Sequence, residues 1–366
     1  MKPRSILQPM VALMLILAFL GGCATPTPSA ASQASVTDLL GRQVLVPSTV
    51  DRVIAIGPGA LRLYVYAGSL DKVVGIEEMD TSDSIGRPYL IANPSLAELP
   101  IIGQGGPNNA PDPEKILSVK PDVIFSTYAS DATMADELQS KTGIPVIVIS
   151  YGKTALFDPA VNESLLLIGQ VTGQAEKAQA AVDLLADYQQ DLAGRTKDIP
   201  DAEKPSVYVG GLGSKGTHGI ESTQGNYALL NAIQARNVVD ETEKTGSVMI
   251  DREKLIDWDP DFIFIDQNGY ASVMEDYQQN PSFYASLTAM KSGRVYAQLP
   301  YNYYSANLDT AIADCYYLGK IIYPDAFADV DPEEKADEIY QALLGKAVYA
   351  QMAEDFGGFK LLTFAE

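Results

Sequence analysis

The sequence contains one histidine, His218, which limits the hydrolytic and zinc chemistry that the chain could perform. A Ser-His-Asp triad would have to use that histidine as its base. Ser214 lies four residues before it, but neither residue lies in the G-x-S-x-G turn that exposes a hydrolase nucleophile. A single histidine also excludes a zinc site of the usual multi-histidine kind. The residue types therefore favour binding over catalysis.

The segment GLGSKG, from Gly211 to Gly216, has the glycine spacing of a dinucleotide-binding turn and follows the predicted strand SVYV. In a dinucleotide site such a turn opens a helix whose N-terminus holds the pyrophosphate. The residues that follow, THGIESTQG, do not predict a helix, so the spacing alone is weak evidence. We expect no intrinsic cofactor.

Glycine-rich and aromatic loops follow several predicted strands at their carboxyl ends, where doubly wound lobes bind ligands. Glycines let backbone N–H groups approach a ligand or hold an anion. Arg62 and Lys215 add cations, and the segment YNYYSAN adds tyrosines just before a helix. The loops are 57–62, 103–108, 127–128 and 151–152, then 210–223, 266–270 and 300–307. The predicted ligand-binding residues are Gly57, Gly59, Ala60, Arg62, Tyr128, Tyr151, Lys215, His218, Tyr301, Tyr303 and Tyr304.

Each of these side chains also has a structural interpretation. Arg62 could pair with an acid on its own helix face, and His218 could be a hydrogen-bonded loop residue. Of the tyrosines in YNYYSAN, two could simply pack, since neighbouring side chains in an extended segment point apart. Tyrosine can bind ferric iron as a phenolate or donate a hydrogen bond to an oxyanion, and the residue types do not separate these uses.

The elements that must position these loops are short β-branched runs alternating with helical patterns. The predicted strands include RVIAI, KVVGI, DVIFS and IPVIVIS, then PSVYVG, DFIFID and RVYAQLP. Continuous apolar strands between helices indicate parallel sheets covered on both faces. Helices are predicted over 132–142, 229–235 and 308–322, with further helical segments after Pro332. The fold class is therefore α/β, with two doubly wound lobes bridged by one long helix rich in Ala, Gln and Leu.

One helix-then-strand phrase occurs twice in the chain. DPEKILSVKPDVIF begins at Asp112 and DREKLIDWDPDFIF at Asp251, an offset of 139 residues. Each copy opens with Asp as a candidate N-cap, and Lys120-Pro121-Asp122 predicts a helix stop followed directly by a buried strand. The repeat marks equivalent positions in an N-terminal lobe over residues 36–160 and a C-terminal lobe over 199–366. Residues 161–198 form the connecting region with the bridging helix.

The N-terminus predicts export and a lipid anchor. Lys2 and Arg4 precede the apolar run MVALMLILAFLGGC, which ends at Cys23. This run is too short for a membrane span, which needs about 20 apolar residues. A basic start and a short apolar centre indicate a signal peptide over residues 1–22. The ending LGGC resembles the bacterial lipobox, which implies lipidation of Cys23 and a small, polar tether over 23–35.

The net charge of −21 argues against nucleic acid and anionic lipid heads as partners. Contact with the membrane is therefore expected through the anchor only, on the outer face of the cytoplasmic membrane. Once Cys23 is lipidated, only Cys315 is left, so no intramolecular disulfide can form. Cys315 lies in an apolar helical pattern and is predicted to be a small buried hydrophobe.

The order of these elements resembles the substrate-binding lipoproteins of ABC importers that carry ferric siderophores, haem and cobalamin. The resemblance rests on LLGRQVLVPSTVDRVIAIGPGALRLYVYAGSLDKVVGIE, PDPEKILSVKPDVIF, the bridging helix and DREKLIDWDPDFIFI. It implies two lobes joined by a rigid helix, with the cargo in the cleft between them. It also implies that Glu114 and Glu253, at the same place in each repeat, meet basic residues of the permease.

The resemblance implies a monomeric, non-catalytic protein that works with permease and ATPase subunits. Its implied cargo is an iron or other metal complex, although any bound metal remains unknown from the sequence. The leading alternative is a tetrahedral oxyanion such as molybdate or tungstate, which Arg62, Lys215 and His218 would suit. An exported hydrolase is the alternative from a different functional class.

Overall fold

The computed structural model describes residues 33–81, 85–213 and 216–364, and it begins with a hairpin and a four-stranded parallel sheet. The hairpin is formed by β1 (Gln33–Thr37) and β2 (Gln43–Pro47). The sheet has the order β4-β3-β5-β6. Its strands are β3 (Val53–Ile56), β4 (Val73–Gly75), β5 (Val123–Ser126) and β6 (Val146–Val148). Every residue of β3 and β5 is buried, as expected when helices cover both faces.

The helices of the first lobe lie between and after the strands of that sheet in the chain. They are α1 (Ala60–Ala67), α2 (Pro88–Ala92), α3 (Pro113–Ser118), α4 (Ala132–Thr142) and α5 (Pro159–Thr172), and they are followed by α6 (Ala175–Thr196). The helix predicted over 132–142 is confirmed as α4. Short 3-10 turns lie at Leu70–Lys72, Glu78–Asp80, Pro94–Glu98, Asp201–Glu203 and Val238–Thr242. Among the residues described, no helix has the length and apolar character needed to cross a membrane.

The second lobe contains a five-stranded sheet of order β13-β12-β11-β7-β9. Only β13 runs antiparallel to its neighbour in this sheet. The strands of the lobe are β7 (Ser206–Gly210), β8 (Ser222–Gly225), β9 (Arg236–Asn237), β10 (Gly246–Met249), β11 (Phe262–Asp266), β12 (Val295–Gln298) and β13 (Lys360–Leu361). β8 and β10 form a separate antiparallel hairpin.

Eight helices cover the described part of the second lobe. They are α7 (Ala228–Ala232), α8 (Arg252–Trp258), α9 (Tyr270–Gln279), α10 (Pro281–Ser286), α11 (Thr288–Lys291), α12 (Leu308–Ile322), α13 (Pro332–Leu344) and α14 (Tyr349–Phe356). The predicted helix over 308–322 is confirmed as α12, and Cys315 is fully buried within it. The helix predicted over 229–235 is shorter in the structure and is α7.

The 22-residue helix α6 links the two sheets. At 1.5 Å per residue its axis is about 33 Å long. It packs against α1 and α5 in the first lobe and against α7 and α12 in the second. Its buried stripe contains Ala178, Ala181, Leu185, Tyr188 and Leu192, at the spacing of one helix face. One continuous helix therefore contributes to the cores of both lobes.

The repeated phrase forms the same turn in both lobes. Lys120 and Asp259 lie just after the helices α3 and α8 and have φ angles of 46° and 37°, and a proline follows each of them. Positive φ at the end of a helix allows the chain to reverse into the next strand. The repeat thus directs each helix into a buried strand, β5 in one lobe and β11 in the other.

The aspartate after each proline has the same role in the two lobes. Asp122 accepts hydrogen bonds from the backbone N–H groups of Asp51 and Arg52, each at 2.9 Å. Asp261 accepts from the backbone N–H and the hydroxyl of Ser206, each at 2.8 Å. In both lobes this carboxylate therefore ties its own strand to the start of the neighbouring strand, β3 or β7.

The N-caps of the two copies of the repeat differ. Asp112 accepts hydrogen bonds from the N–H groups of Glu114 and Lys115, each at 3.1 Å. The Asp251 side chain forms no capping bond, so the predicted cap is wrong in the second copy.

Replacing Asp112 by alanine should lower the free energy of unfolding by about 1 kcal/mol. The matched Asp251→Ala change should have a much smaller effect in urea denaturation. Equal losses in the two variants would contradict this account.

Candidate functional site

The turn after β3 is held tightly against the loop after β5. Gly57 has a φ of 90°, and a Cβ placed on it would lie 2.5 Å from the backbone nitrogen of Tyr128. Its N–H donates to the Glu77 carboxyl group at 2.7 Å, and the Ala60 N–H donates to the Gly57 carbonyl at 3.1 Å. The sequence predicts that this backbone reaches the cargo, but in the structure both N–H groups are used within the lobe.

The two lobes touch at Gly59. A Cβ placed there would lie 2.9 Å from the Cβ of Ser305 in the second lobe and 2.7 Å from the Tyr151 hydroxyl oxygen. The Tyr151 hydroxyl also donates to the Gly59 carbonyl at 3.1 Å. Only glycine, with its positive φ of 75° and no side chain, fits between these groups.

Arg62 extends from α1 to the second lobe. It is 1% exposed and donates to the carbonyl oxygens of Tyr303 and Ser305, both at 3.0 Å. Its guanidinium carbon lies 5.1 Å from the centre of the Tyr89 ring. Burial opposes the charge, but Tyr151, Tyr89 and other neighbours outweigh it and raise the pKa of Arg62 above its usual value. Arg62 is therefore a charged group at the lobe interface and does not pair with an acid on its own helix face.

Arg87, which was not predicted from the sequence, is a second buried cation at the same interface. It is 2% exposed, and it donates to the Tyr303 hydroxyl at 2.6 Å and to the Met79 carbonyl. Its guanidinium carbon lies 4.3 Å from the centre of the Tyr303 ring. The Nε atoms of Arg62 and Arg87 are buried without a hydrogen-bond partner among the described residues. Both arginines therefore retain unused donor capacity next to the same loop.

Two buried aspartates lie close to these arginines. Asp309 accepts from the Tyr66 hydroxyl at 2.7 Å, and Asp80 accepts from the Tyr89 hydroxyl. Burial raises the pKa of both carboxyl groups, while the charge on Arg62 opposes the shift in each case. The interface therefore combines two arginines with two buried acids whose ionised form the charge on Arg62 favours.

Two clefts lie at the carboxyl ends of the N-terminal sheet. The first encloses about 370 Å³ and is lined by Glu78, Met79, Arg87, 104–109, Tyr303 and Tyr304. The second encloses about 330 Å³ and is lined by Leu39, Leu40, Pro58, Thr127, Ala129, Ser130, 148–151 and Ser305. The wall of the first cleft contains a buried cation, Arg87, and an exposed acid, Glu78, whereas the polar side chains lining the second are neutral hydroxyl groups. We take the first, which we name the arginine cleft, as the candidate cargo site.

The three clustered tyrosines have different environments. Tyr301 is buried against Tyr227, with ring centres 6.2 Å apart, and burial raises its pKa above the usual tyrosine value. Tyr303 is half-buried, and Tyr304 is 48% exposed. Tyr304 and Ser305 both have positive φ, at 47° and 108°, a conformation that is strained for residues other than glycine. Of the three, Tyr303 and Tyr304 line the arginine cleft, whereas Tyr301 is buried and does not line it.

The remaining predicted ligand residues are outside the arginine cleft or outside the described chain. His218 is half-buried in the loop before β8, and its carbonyl lies against Gly269. Tyr128 is half-buried, and neither it nor His218 lines either of the two clefts. Lys215 and Cys23 lie outside the described residues. Within the described chain, no group of three or more His, Cys, Asp or Glu side chains is arranged to hold a metal ion.

The predicted docking glutamates are both on the surface. Glu114 lies in the first turn of α3, and Glu253 lies in the first turn of α8. Both side chains are exposed, and neither forms an ion pair with another described residue. Their position at the surface leaves them available to a partner.

Comparison with known proteins places the chain among solute-binding proteins. The "Periplasmic binding protein" family model matches residues 53–300. The molybdate-binding protein MolA of Haemophilus influenzae is 26% identical over 331 residues, covering 86% of this chain and 91% of that protein. The ABC transporter substrate-binding lipoprotein YvrC of Bacillus subtilis is 23% identical over 327 residues, covering 87% and 97%. An iron-uptake system-binding protein of Bacillus subtilis is 30% identical over 199 residues, covering 52% and 59%.

A solved structure supports the two-lobe fold. The periplasmic solute-binding protein of Veillonella parvula superposes with a TM-score of 0.70 at 21% identity, covering 89% of this chain and 97% of that one. At this identity the likeness establishes the fold alone. Together with the family match over most of both lobes, it leads to one conclusion: the chain belongs to the periplasmic binding protein family, as an extracytoplasmic substrate-binding protein of an ABC transporter and not an enzyme.

Proposed function

We propose that the protein captures a small oxyanion of the molybdate or tungstate type in the arginine cleft and delivers it to an ABC permease. The observation that carries this proposal is a pair of buried arginines that donate to the same loop of the opposite lobe. Arg87 lines the cleft, whereas Arg62 does not line it but binds the 303 and 305 carbonyls of that loop. A guanidinium group stays protonated and offers a planar fork of N–H donors that suits oxyanions. The relative MolA, named for molybdate, fits this cargo class.

The cleft volume also supports a small cargo over a large chelate. At about 370 Å³ it lies near the lower end of the roughly 300–1,000 Å³ range of ligand pockets. The sequence alone favours an iron or other metal complex, and the geometry shifts our preference to the oxyanion. An anionic ferric chelate is the second candidate, because Tyr303 and Tyr304 line the cleft and one relative is named for iron uptake.

Cargo entry would require an exchange of contacts at the lobe interface. The lobes are joined by the Arg62 bonds to the carbonyls of 303 and 305 and by Arg87 on the Tyr303 hydroxyl. The Asn307 side-chain amide adds a bond to the Gly86 carbonyl at 2.8 Å. An oxyanion could accept from the arginines in place of Tyr303 and the carbonyls. Since those bonds are charge-assisted, the exchange would retain strong hydrogen bonding on both sides.

Delivery from the cell surface would use the lipid anchor predicted at Cys23, which lies outside the described residues together with the signal peptide. The support is the LGGC sequence after a short apolar run that follows basic residues. Acylation of Cys23 would hold the folded lobes near the permease by a flexible tether. Mass spectrometry of the membrane-extracted protein should detect lipid on this residue.

Replacing Tyr303 by phenylalanine should separate the two cargo classes. The change removes the hydroxyl that accepts from Arg87 and leaves the ring that the guanidinium stacks on. If arginine holds an oxyanion, the affinity for molybdate measured by calorimetry should stay within about threefold of the wild-type value. The reason is that bound molybdate replaces the Tyr303 hydroxyl as the acceptor of the Arg87 hydrogen bond. For a ferric chelate bound through a phenolate, the variant should lose a visible charge-transfer band.

The matched control is Tyr128→Phe, because Tyr128 is also half-buried but lines neither of the two clefts. Elemental analysis of the protein as purified provides an independent measure of the cargo. Failure of the wild-type protein to bind molybdate and tungstate, together with bound iron in the purified sample, would overturn the oxyanion proposal in favour of the chelate.

A further inference from the structure

Two large apolar side chains are exposed at equivalent positions of the repeat. Leu117 on α3 is 43% exposed, and Ile256 on α8 is 42% exposed. The residue before each of them, Ile116 or Leu255, is buried in its lobe. The two short helices are therefore seated in the same orientation, and each leaves an aliphatic side chain in solvent.

The exposed aliphatic residue and the docking glutamate share one face of each helix. Leu117 follows Glu114 by three residues, and Ile256 follows Glu253 by three residues. Residues three apart on a helix lie side by side on its surface. Each lobe therefore presents the same surface unit, an acid next to an aliphatic side chain.

The lysines beside the glutamates interact with neighbours on their own helices. Lys115 lies 3.9 Å from the Asp112 carboxylate, and Lys254 lies 5.0 Å from the centre of the Trp258 ring. Neither Glu114 nor Glu253 is paired among the residues described, so both acids are available to a cation on a partner.

We infer that Leu117 and Ile256, each beside its glutamate, are the apolar anchors of a two-part docking surface for the membrane permease. A unit that occurs once in each lobe fits a partner with two like subunits, each offering a basic group next to an apolar socket. An acid alone gives specificity and orientation, whereas burial of an aliphatic side chain supplies binding free energy. This inference rests on the proposed delivery to a permease but not on the identity of the cargo.

Site-specific photo-crosslinking in intact cells of the native host tests the surface directly. A photoreactive phenylalanine such as p-benzoylphenylalanine is placed at position 117 or 256, and at position 45 or 249 as a control. Leu45 and Met249 are also exposed but lie outside the repeat. We expect positions 117 and 256 to crosslink to the same multi-spanning permease, or to its two related subunits, and the controls not to do so. Absence of a permease crosslink above the controls would overturn the inference.

Uptake measurements test whether the anchors contribute to delivery. Each of Leu117→Ser and Ile256→Ser should weaken docking about tenfold, and the double variant should lose more because both ends of a bivalent contact are affected. Affinity for molybdate in solution should remain at the wild-type value, as should the melting temperature. Normal uptake by the double variant would place docking elsewhere. If molybdate does not bind at all, the cargo proposal fails, while the crosslinks still report on docking.

Discussion

Replacing Arg87 by alanine is expected to weaken molybdate binding by roughly a hundredfold or more, since a guanidinium fork contributes charge-assisted hydrogen bonds of about 1.5–3 kcal/mol each. Arg87 forms part of the wall of the arginine cleft and is buried against the Tyr303 ring. In the structure Arg87 donates to the Tyr303 hydroxyl and the Met79 carbonyl. Isothermal titration with molybdate and tungstate measures the loss.

Two further variants give this prediction its specificity. Arg87→Lys keeps the positive charge but not the planar fork, so its affinity should lie between those of the wild type and Arg87→Ala. Arg236→Ala removes an exposed arginine with a single long ion pair in the second lobe, and it should bind as the wild type does. Wild-type affinity in a correctly folded Arg87→Ala protein would show that the cargo lies elsewhere, with the hydroxyl-lined second cleft as the next place to test.

Much of the candidate site could be predicted from one topological rule. The carboxyl ends of parallel strands lie at the same edge of a sheet, so loops far apart in sequence converge there. This rule selects the 103–108 loop, Arg62 and the tyrosines of the 300–307 loop, and the structure brings these parts together at the lobe interface. It needs only the strand pattern, which β-branched runs between helices make clear.

Arg87 could not be found in this way because it does not follow a strand. It lies just before α2, in a segment that the turns after β4 carry back to the interface. Its position depends on its contact with Tyr303, which is 216 residues away in the chain and leaves no periodic signal. The one local sign is the sequence GRP, in which an arginine stands directly before a proline that starts a helix.

The strand pattern also does not predict the hairpin of β8 and β10, for a similar reason. Its first strand, STQG, is polar, yet Ser222 and Thr223 are buried because their hydroxyl groups donate to the carbonyls of Leu212 and Val209 at 2.6 and 2.7 Å. Such bonds are tertiary and do not follow from strand propensity. The helix phrase at 251 shows the opposite case, in which a good N-cap residue is present and its bond is not formed.

The folded protein is expected to lose stability as the pH rises from about 5 to about 8, with Glu77 as a principal cause. Burial raises the pKa of this carboxyl group to about 8, against the effect of the Gly57 N–H bond and with a further contribution from Asp80. In the unfolded chain a glutamate ionises near pH 4.3, so between these values the folded state holds the extra proton. The contribution of Glu77 to the free energy of unfolding should therefore fall by up to about 1.4 kcal/mol per pH unit and level off above pH 8.

The Glu77→Gln variant should show a flatter dependence of stability on pH, because glutamine can still accept from the Gly57 N–H but has no proton to lose. Chemical denaturation at several pH values measures the slope. Asp266, whose pKa burial raises to about 7, contributes with the same sign, so Asp266→Asn should remove a separate part of the slope. Glu78→Gln, an exposed neighbour, is the matched control and should leave the profile unchanged. If Glu77→Gln and wild type have the same slope, then the carboxyl group is ionised in the folded protein, and an additional negative charge lies behind the arginine cleft.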